Sequence, residues 1–443
     1  MSEGWARAAL GAYRVAGSLA YPLIGPYVGW RASRGKEEGD RRRERYGIAS
    51  ELRPQDGPMI WVHAASIGES AAVTPMLREI AAEGIPIVMT TGTTTSAALV
   101  RERLAGEVVH QYVPLDLKPC VNRFLDHWRP DLAIVAESEI WPLTMQELHR
   151  RRVPQMLVNA RLSDRTFRRW RAVPSLAEAL LSKLSHVVAQ SDVDGERFHM
   201  LGARAVTVAG NLKADTPPPV RDDGALAEMA RSVGPRPVWA AISTHSGEEA
   251  MAGEVHAKLC DARPRLLTII VPRHIERGDE IERALKAKGL SVARRSRGER
   301  PDPTTDVLLG DTIGEMGLYL RLTDIAFMGK SLSAQGGQNP IEAAMLGTAI
   351  LSGRYVQNFR DVYQRLLADG GARIVKDGAQ LAEQVELLLS DAPLRRSMGK
   401  IAQASVEEMR GALSRTMQAL DPFLQPLRLA AGFDRSRRGT GGR

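Results

Sequence analysis

Several short patterns in this sequence place reactive side chains directly after apolar runs. Glu69 follows the run 59–63 and sits behind Gly68, which permits a tight turn into a helix. A carboxylate there can act as a general base, or it can complete a capping box with Ser66. The helix dipole favours its ionised form, whereas burial beside Trp61 would raise its pKa. Glu137 and Glu139 stand two apart just after the run 132–136, which predicts an extended segment with both carboxylates on one side. Glu139 is also placed to be an N-terminal acid of a helix opening at Pro142. Lys213, after the run 206–208 and beside Asn211, can stabilise a developing negative charge.

The second half carries a different chemistry. Arg273, behind Pro272, offers a cationic fork suited to phosphate. Gly314-Glu315-Met316 reads as a turn after another strand. Gly336-Gly337-Gln338-Asn339-Pro340 opens a helix and supplies backbone N–H donors, with Ile341 and then Glu342 one turn in, where a carboxylate can grip ribose hydroxyls. Together these describe a nucleotide pocket. No GxGxxG follows the first strand and no GxxxxGK[ST] occurs, which removes the main support for dinucleotide dehydrogenases and P-loop NTPases. His63, His245 and His274 are the histidines near strand ends, and they read as orienting neighbours. With no HExxH and no strand-end DxD pair, we expect no catalytic metal and no cofactor.

These residues need elements to hold them. Short apolar, β-branched runs at 59–63, 85–90, 108–113, 132–136, 155–158, 186–189 and 206–208 alternate with helix-length stretches. A second series follows at 238–242, 267–271, 307–309, 325–328 and 349–351. Such alternation predicts parallel sheets with helices on both faces, hence an α/β chain of two Rossmann-like domains. Pro217, Pro218 and Pro219 cannot continue a helix or a central strand, so they predict a linker. Ligands of open α/β sheets bind at the carboxyl ends of strands, where the polar patterns lie. From residue 380 onward the composition is helical and could pack across both halves.

Composition narrows the classes further. The chain has 443 residues, 44% of them hydrophobic, with 60 Lys and Arg against 52 Asp and Glu. That excludes low-complexity disorder and gives a net charge of +8, which attracts anionic partners. Two distant cysteines, Cys120 and Cys260, exclude a disulfide-stapled module and a zinc or redox CxxC pair. Aromatic residues make up 5%, with no RRM-like or C2H2 pattern, so no nucleic-acid partner is expected.

Residues 15–30 carry no charge and include Tyr21, Tyr27 and Trp30, but Pro22 and Pro26 break the run and it is short for a span. An interfacial or re-entrant anchor fits better, or an amphipathic helix packed on the protein's own surface. The following Arg31, Arg34, Lys36, Arg41, Arg42, Arg43 and Arg45 would hold the protein at a cytoplasmic face. The end, around 434–439, reads as a disordered basic tail.

Taken in order, the motifs Trp61 to Glu69, Glu137 to Pro142, Val158 to Ser163, Gly210 to Lys213, Ser243-Thr244-His245, Pro272-Arg273-His274 and Gly337 to Glu342 resemble the Kdo transferases of lipopolysaccharide synthesis. These enzymes move 3-deoxy-D-manno-octulosonic acid (Kdo) from CMP-Kdo to the lipid A precursor, lipid IVA. The resemblance spans about residues 10 to 425.

It implies a GT-B glycosyltransferase, α/β, with two Rossmann-like domains facing a central cleft. The implied division is an N-terminal membrane-associating segment and basic stretch at 1–46 and an acceptor-binding domain at 47–213. A linker follows at 214–220, then a CMP-Kdo-binding domain with terminal helices at 221–425 and a basic tail at 426–443. Glu69 becomes the general base that takes the proton of a glucosamine 6′-hydroxyl as it attacks Kdo with inversion. Glu137 and Lys213 match positions assigned to transition-state stabilisation. Pro272, Arg273, Gly314, Glu315, Met316, Asn339, Pro340, Ile341 and Glu342 match CMP-binding positions. The implied partners are CMP-Kdo, the lipid A precursor and inner-membrane phospholipid, at the cytoplasmic face of the cell inner membrane. The reading requires Glu69, Glu137 and Lys213 to converge.

Overall fold

A computed structural model describes residues 3–54, 57–333 and 335–440. The chain folds as two compact units, Met1–Thr216 joined by Arg410–Arg443, and Pro217–Met409. Each is built on one seven-stranded sheet.

The first unit contains β1 (Ile60–His63), β2 (Ile87–Thr91), β3 (Val109–Tyr112), β4 (Leu132–Ala136), β5 (Gln155–Ala160), β6 (His186–Ala189) and β7 (Val206–Val208). All pairings are parallel, in the order β3-β2-β1-β4-β5-β6-β7. Both faces of such a sheet must be covered, so its central strands carry apolar residues on both faces, with polar ones gathered toward their ends. Alternation sorts them: Ile60 and Val62 enter one core layer with Met76 and Leu77 of the helix Ile67–Ala82, and Trp61 enters the opposite layer with Phe124 and Trp128. The chain reverses its direction of growth between β1 and β4, which makes the carboxyl ends of those two strands the switch point.

The second unit contains β8 (Val238–Thr244), β9 (Leu267–Pro272), β10 (Val292–Arg294), β11 (Val307–Leu309), β12 (Ile325–Met328), β13 (Ala349–Ser352) and β14 (Ala372–Ile374). Its order is β10-β11-β9-β8-β12-β13-β14, again all parallel, with the switch point between β8 and β12. Trp239, Ile270, Phe327 and Leu351 form the centre of its core.

Three expectations are corrected. The second unit ends at Met409, not 425, because the helix Ala412–Thr440 returns to the first unit, where Leu420 and Leu424 are fully buried against the layer of Ile60 and Ile80. The stretch expected to be a disordered tail is therefore helical as far as Thr440, and residues 441–443 lie outside the described part. The basic N-terminal stretch is also partly structural. Arg45 bonds buried Glu37 at 2.9 Å and the Gly92 carbonyl at 2.7 Å, while Arg41 bonds Glu44 at 2.8 Å, and Glu44 accepts the Tyr112 N–H at 2.6 Å. Arg34, Lys36, Arg42 and Arg43 stay exposed.

Ahead of this stretch stand the helices Glu3–Ala20 and Ile24–Ser33, separated by one tight turn, Tyr21–Leu23, carrying Pro22. Ala6, Leu10, Tyr13 and Gly17 recur at helical spacing and meet the first unit: Ala6 is buried, Leu10 joins a core cluster, and Tyr13 bonds Asp116 at 3.1 Å. A Cβ on Gly17 would come within 2.8 Å of Leu117. Trp5, Ala8, Ala12, Val15 and Leu19 form a second stripe that is exposed, continued by Leu23, Tyr27 and Trp30. Among the described residues no helix is long and apolar enough to cross a membrane.

Candidate active site

In the first unit the helix Ile67–Ala82 begins directly off β1. Ser66 caps it by accepting the Glu69 N–H. Glu69 turns its carboxylate back, accepting the Ala65 N–H at 2.8 Å and the Ser66 hydroxyl at 2.8 Å. The capping arrangement expected for Ser66 and Glu69 is thus present, and it fixes the carboxylate at the switch point. Its pKa is nevertheless pushed up to about 7, first by burial and then by the charges of Glu137 and Glu139, against the pull of the Ser66 and Ala65 hydrogen bonds.

Glu137 is the first residue beyond β4. Its backbone is left-handed, with φ 57°, so the chain turns here and the expected extended run is absent. The turn aims Glu137 at cations: Lys213 Nζ donates to Oε1 at 2.9 Å and Arg161 Nε donates to Oε2 at 3.1 Å. Burial raises the Glu137 pKa, but Lys213 and Arg161 outweigh it and the net shift is downward. Glu139 goes the other way: burial, with a smaller contribution from Glu137, pushes it up against the Trp141 hydrogen bond. Trp141 in turn packs on the ring of His63, with centroids 4.5 Å apart. Burial drives His63 down to about 3, so it is a neutral packing and orienting group.

Lys213 stands in the one-turn segment Leu212–Ala214. Asn159 accepts the Leu212 N–H at 3.0 Å, Asn211 accepts the Lys213 N–H at 3.0 Å, and Thr216 donates to the Lys213 carbonyl at 2.7 Å. Glu69, Glu137 and Lys213 therefore converge at the carboxyl edge of one sheet, with Glu139 and Arg161 beside them. Arg161 and Asn159 had no role in the sequence reading. Their only signal was their place in the pattern Val158 to Ser163, immediately after a strand.

In the second unit, Pro272 ends β9 and Arg273 is exposed just beyond it, its N–H bonded to the Thr244 carbonyl at 3.0 Å. Gly314, with φ 85°, and Glu315 precede the helix Met316–Arg321 after β11. The Glu315 carboxylate is bonded by Arg295 at 2.6 Å, so this side chain ties its loop to the turn that follows β10. After β12, the Gly337 N–H bonds the Lys330 carbonyl at 2.8 Å and the Gln338 N–H bonds the Gly329 carbonyl at 3.2 Å. Those two donors shape the loop, contrary to the expectation that they wait for a phosphate. Asn339 accepts the Ile341 N–H at 3.1 Å where Pro340 leads into the short helix Ile341–Met345, and Glu342 is half-buried in its first turn.

These positions thus lie on the carboxyl edge of β9, β11 and β12. His245, after β8, joins two of the loops, with Gln338 Nε2 at 3.0 Å from its Nε2 and the His274 ring centroid 5.5 Å away. Glu248 pins the switch point: its buried carboxylate accepts the N–H groups of His245, Lys330, Ser331 and Leu332 at 2.9, 2.7, 3.1 and 3.2 Å. Among the described residues no group of three or more His, Cys, Asp or Glu is placed to hold a metal ion.

The sequence model of a family described as 3-deoxy-D-manno-octulosonic-acid transferase (kdotransferase) matches residues 40–216. The 3-deoxy-D-manno-octulosonic acid transferase of Haemophilus influenzae is 33% identical over 415 residues, covering 92% of this chain and 97% of that protein. That of Bordetella pertussis is 35% identical over 426 residues, covering 94% and 99%. Among solved structures, UDP-GlcNAc 2-epimerase from Neisseria meningitidis bound to UDP-GlcNAc matches with a TM-score of 0.56 at 13% identity, over 82% of this chain and 99% of that one. This last likeness is one of fold, that of the GT-B class. With relatives this similar along nearly its whole length, the chain belongs to the 3-deoxy-D-manno-octulosonic acid transferases, glycosyltransferases of GT-B fold.

Proposed function

We propose that the protein transfers Kdo from CMP-Kdo to a glucosamine 6′-hydroxyl of the lipid A precursor lipid IVA, with inversion at the anomeric carbon. Glu69 takes the hydroxyl proton as the oxygen attacks, the bond from the anomeric carbon to the phosphate oxygen breaks, and CMP leaves with the electron pair. Lys213, held against ionised Glu137, stabilises the charge that develops. Arg273 and the loops at Gly314, Glu315 and Met316 and at Asn339, Pro340, Ile341 and Glu342 hold CMP, whose single phosphate needs few cationic partners.

The observation that carries this reading is Glu69, fixed at the switch point beside Glu137 with its pKa pushed up to about 7. A base poised near the working pH combines the right protonation state with proton affinity. We place the reaction at the cytoplasmic face of the inner membrane, with the exposed stripe Trp5, Val15, Leu19, Leu23 and Trp30 lying in the lipid interface and Arg34, Lys36, Arg42 and Arg43 at anionic head groups. Leu19 is 75% exposed and Leu23 69%, so replacing both with Ser leaves the fold intact and weakens sedimentation with phospholipid vesicles.

The test is a CMP-release assay with CMP-Kdo supplied from CTP and Kdo, with and without a tetra-acylated lipid A precursor, followed by mass spectrometry of the lipid. The lipid gains Kdo with wild type and not with Glu69→Gln. CMP-Kdo that stays intact beside the lipid would overturn the assignment of donor and acceptor.

A further inference from the structure

We propose that Lys330 is a specificity-determining residue of the donor site: its ammonium takes the carboxylate that the donor sugar carries next to the phosphate. The inference rests on the reading of the donor as CMP-Kdo, and it concerns the second unit alone.

The backbone of Lys330 is the starting observation. This residue lies two positions beyond β12 with φ 55°, in the left-handed region where a side chain is strained and glycine is not. The conformation is fixed from both sides: its N–H is bonded to the Glu248 carboxylate at 2.7 Å, and its carbonyl accepts the Gly337 N–H at 2.8 Å. Gly329, just ahead, packs so close to the end of β8 that a Cβ there would stand 2.4 Å from the Ser243 carbonyl oxygen. Strain of this kind gathers at ligand sites, and here it holds a lysine where glycine would fit.

Its surroundings are cationic. β8 lies between β9 and β12 in the sheet, so His245, beyond β8, stands between Arg273, beyond β9, and Lys330. With adjacent strands about 4.8 Å apart, the two cations start from strand ends about 10 Å apart, a gap their long side chains can close around one small anionic group of a ligand. Lys330 is half-buried and its side chain runs toward the loop at 336–340, since a Cβ on buried Gly336 would stand 3.5 Å from Lys330 Cε. The His245 ring registers this field. Its pKa is lowered first by burial and then by the charge of Lys330, against the pull of Glu248, with His274 and Arg273 adding to the lowering. The nearby carboxylates are already engaged: Glu248 accepts four backbone N–H groups, and Glu276 lies 3.4 Å from His274. Among the described residues, no carboxylate lies within ion-pair distance of the Lys330 ammonium or the Arg273 guanidinium. Like charges gathered without a counter-charge repel one another, and an anion relieves that repulsion.

The donor supplies two anions at one place. In an ulosonic acid the carboxyl carbon is bonded to the anomeric carbon, and in its CMP derivative the phosphate oxygen is bonded to that same carbon. Arg273 takes the phosphate and Lys330 the carboxylate. A nucleotide sugar built on a neutral aldose has no second anion there and leaves the Lys330 ammonium without a partner.

The test uses the whole chain as wild type, Lys330→Met, Lys330→Arg and Lys330→Gly. Two ligands are compared. CMP-Kdo, supplied continuously from CTP and Kdo, is read through its KM in the CMP-release assay. Cytidine 5′-(methyl phosphate), a diester with the same single phosphate charge and no carboxylate, is read by calorimetry. Lys330→Met raises KM for CMP-Kdo roughly tenfold or more, the scale of a lost charge-assisted hydrogen bond, and leaves the affinity for the methyl ester unchanged. Lys330→Arg keeps most of the wild-type KM. Lys330→Gly copies the methionine variant in KM while melting no lower than wild type, because glycine accepts the left-handed backbone, and this separates a ligand contact from a role in folding. An affinity for the methyl ester that falls along with the rise in KM would put Lys330 on the phosphate or in the fold, and an unchanged KM would leave it no ligand; either result overturns the inference. A wild type that binds the methyl ester yet consumes no CMP-Kdo would instead fault the proposed donor, and this inference with it.

Discussion

The two switch points are built to one plan and finished differently. Each places non-glycine residues in the left-handed region at strand ends: Glu137 and Asn159 at φ 57° and 52° in the first unit, Ser243 and Lys330 at φ 53° and 55° in the second. Such backbone is held only where surrounding bonds over-determine it, and it gathers at functional sites. Each switch point also has a glutamate shielded from solvent, partly at Glu137 and fully at Glu248. Glu137 is satisfied by the side-chain cations Lys213 and Arg161, whereas Glu248 is satisfied by four backbone N–H groups. A carboxylate saturated by backbone is a fastener for loops. A carboxylate balanced by side-chain cations beside a second, proton-holding carboxylate is a reactive array. Side-chain cations thus meet carboxylates at the first switch point, whereas the second is closed by backbone bonds to a single carboxylate.

Substitutions can break this contrast. Glu69→Gln has the largest effect: transfer falls roughly 10³-fold, in the range of a lost general base, while CMP affinity measured by calorimetry stays put. It also changes stability. Because the folded pKa of Glu69 is raised, the fold favours its protonated form, and wild type loses stability as pH climbs from the ordinary carboxyl value of 4.5 through about 7. Glutamine does not titrate, so the variant's melting temperature gains on wild type across that window. Glu248→Ala should act on folding: leaving four N–H donors without their anion costs about 3 kcal/mol, read as a shift of the second unit's urea transition. Lys213→Met lowers kcat roughly 10²-fold and also lowers the urea midpoint, because Glu137 loses one of its two cations. Arg273→Ala is the mildest, weakening CMP binding by about 2 kcal/mol, seen in calorimetry and absent from thermal melts.

Much of the fold was legible because buried parallel strands are continuous apolar runs. Every strand of the first sheet was marked that way. In the second, β10 and β14 escaped notice, and both are three-residue edge strands, Val292-Ala293-Arg294 and Ala372-Arg373-Ile374, with too few apolar side chains to stand out. The return of the C-terminal helix was hidden for another reason. Leu420 and Leu424 announce an amphipathic helix, but nothing in their spacing says which core they enter. At the site, Glu69, Glu137 and Lys213 were visible as polar residues after strands. Arg161 bonds Glu137 and Asn159 bonds the Lys213 turn across long stretches of sequence, and such pairings have no local signature.

In the proposed reaction Glu69 is a base whose pKa is held near neutrality first by burial and then by the neighbouring carboxylates. The pH dependence of kcat/KM for Kdo transfer to the lipid acceptor measures it directly, because that ratio reports the ionisation of the free enzyme. The account predicts an acidic limb centred near 7, displaced downward in Glu139→Gln as one repelling charge is removed. A profile flat from pH 5 to 8, or a limb that Glu139→Gln leaves in place, would contradict it.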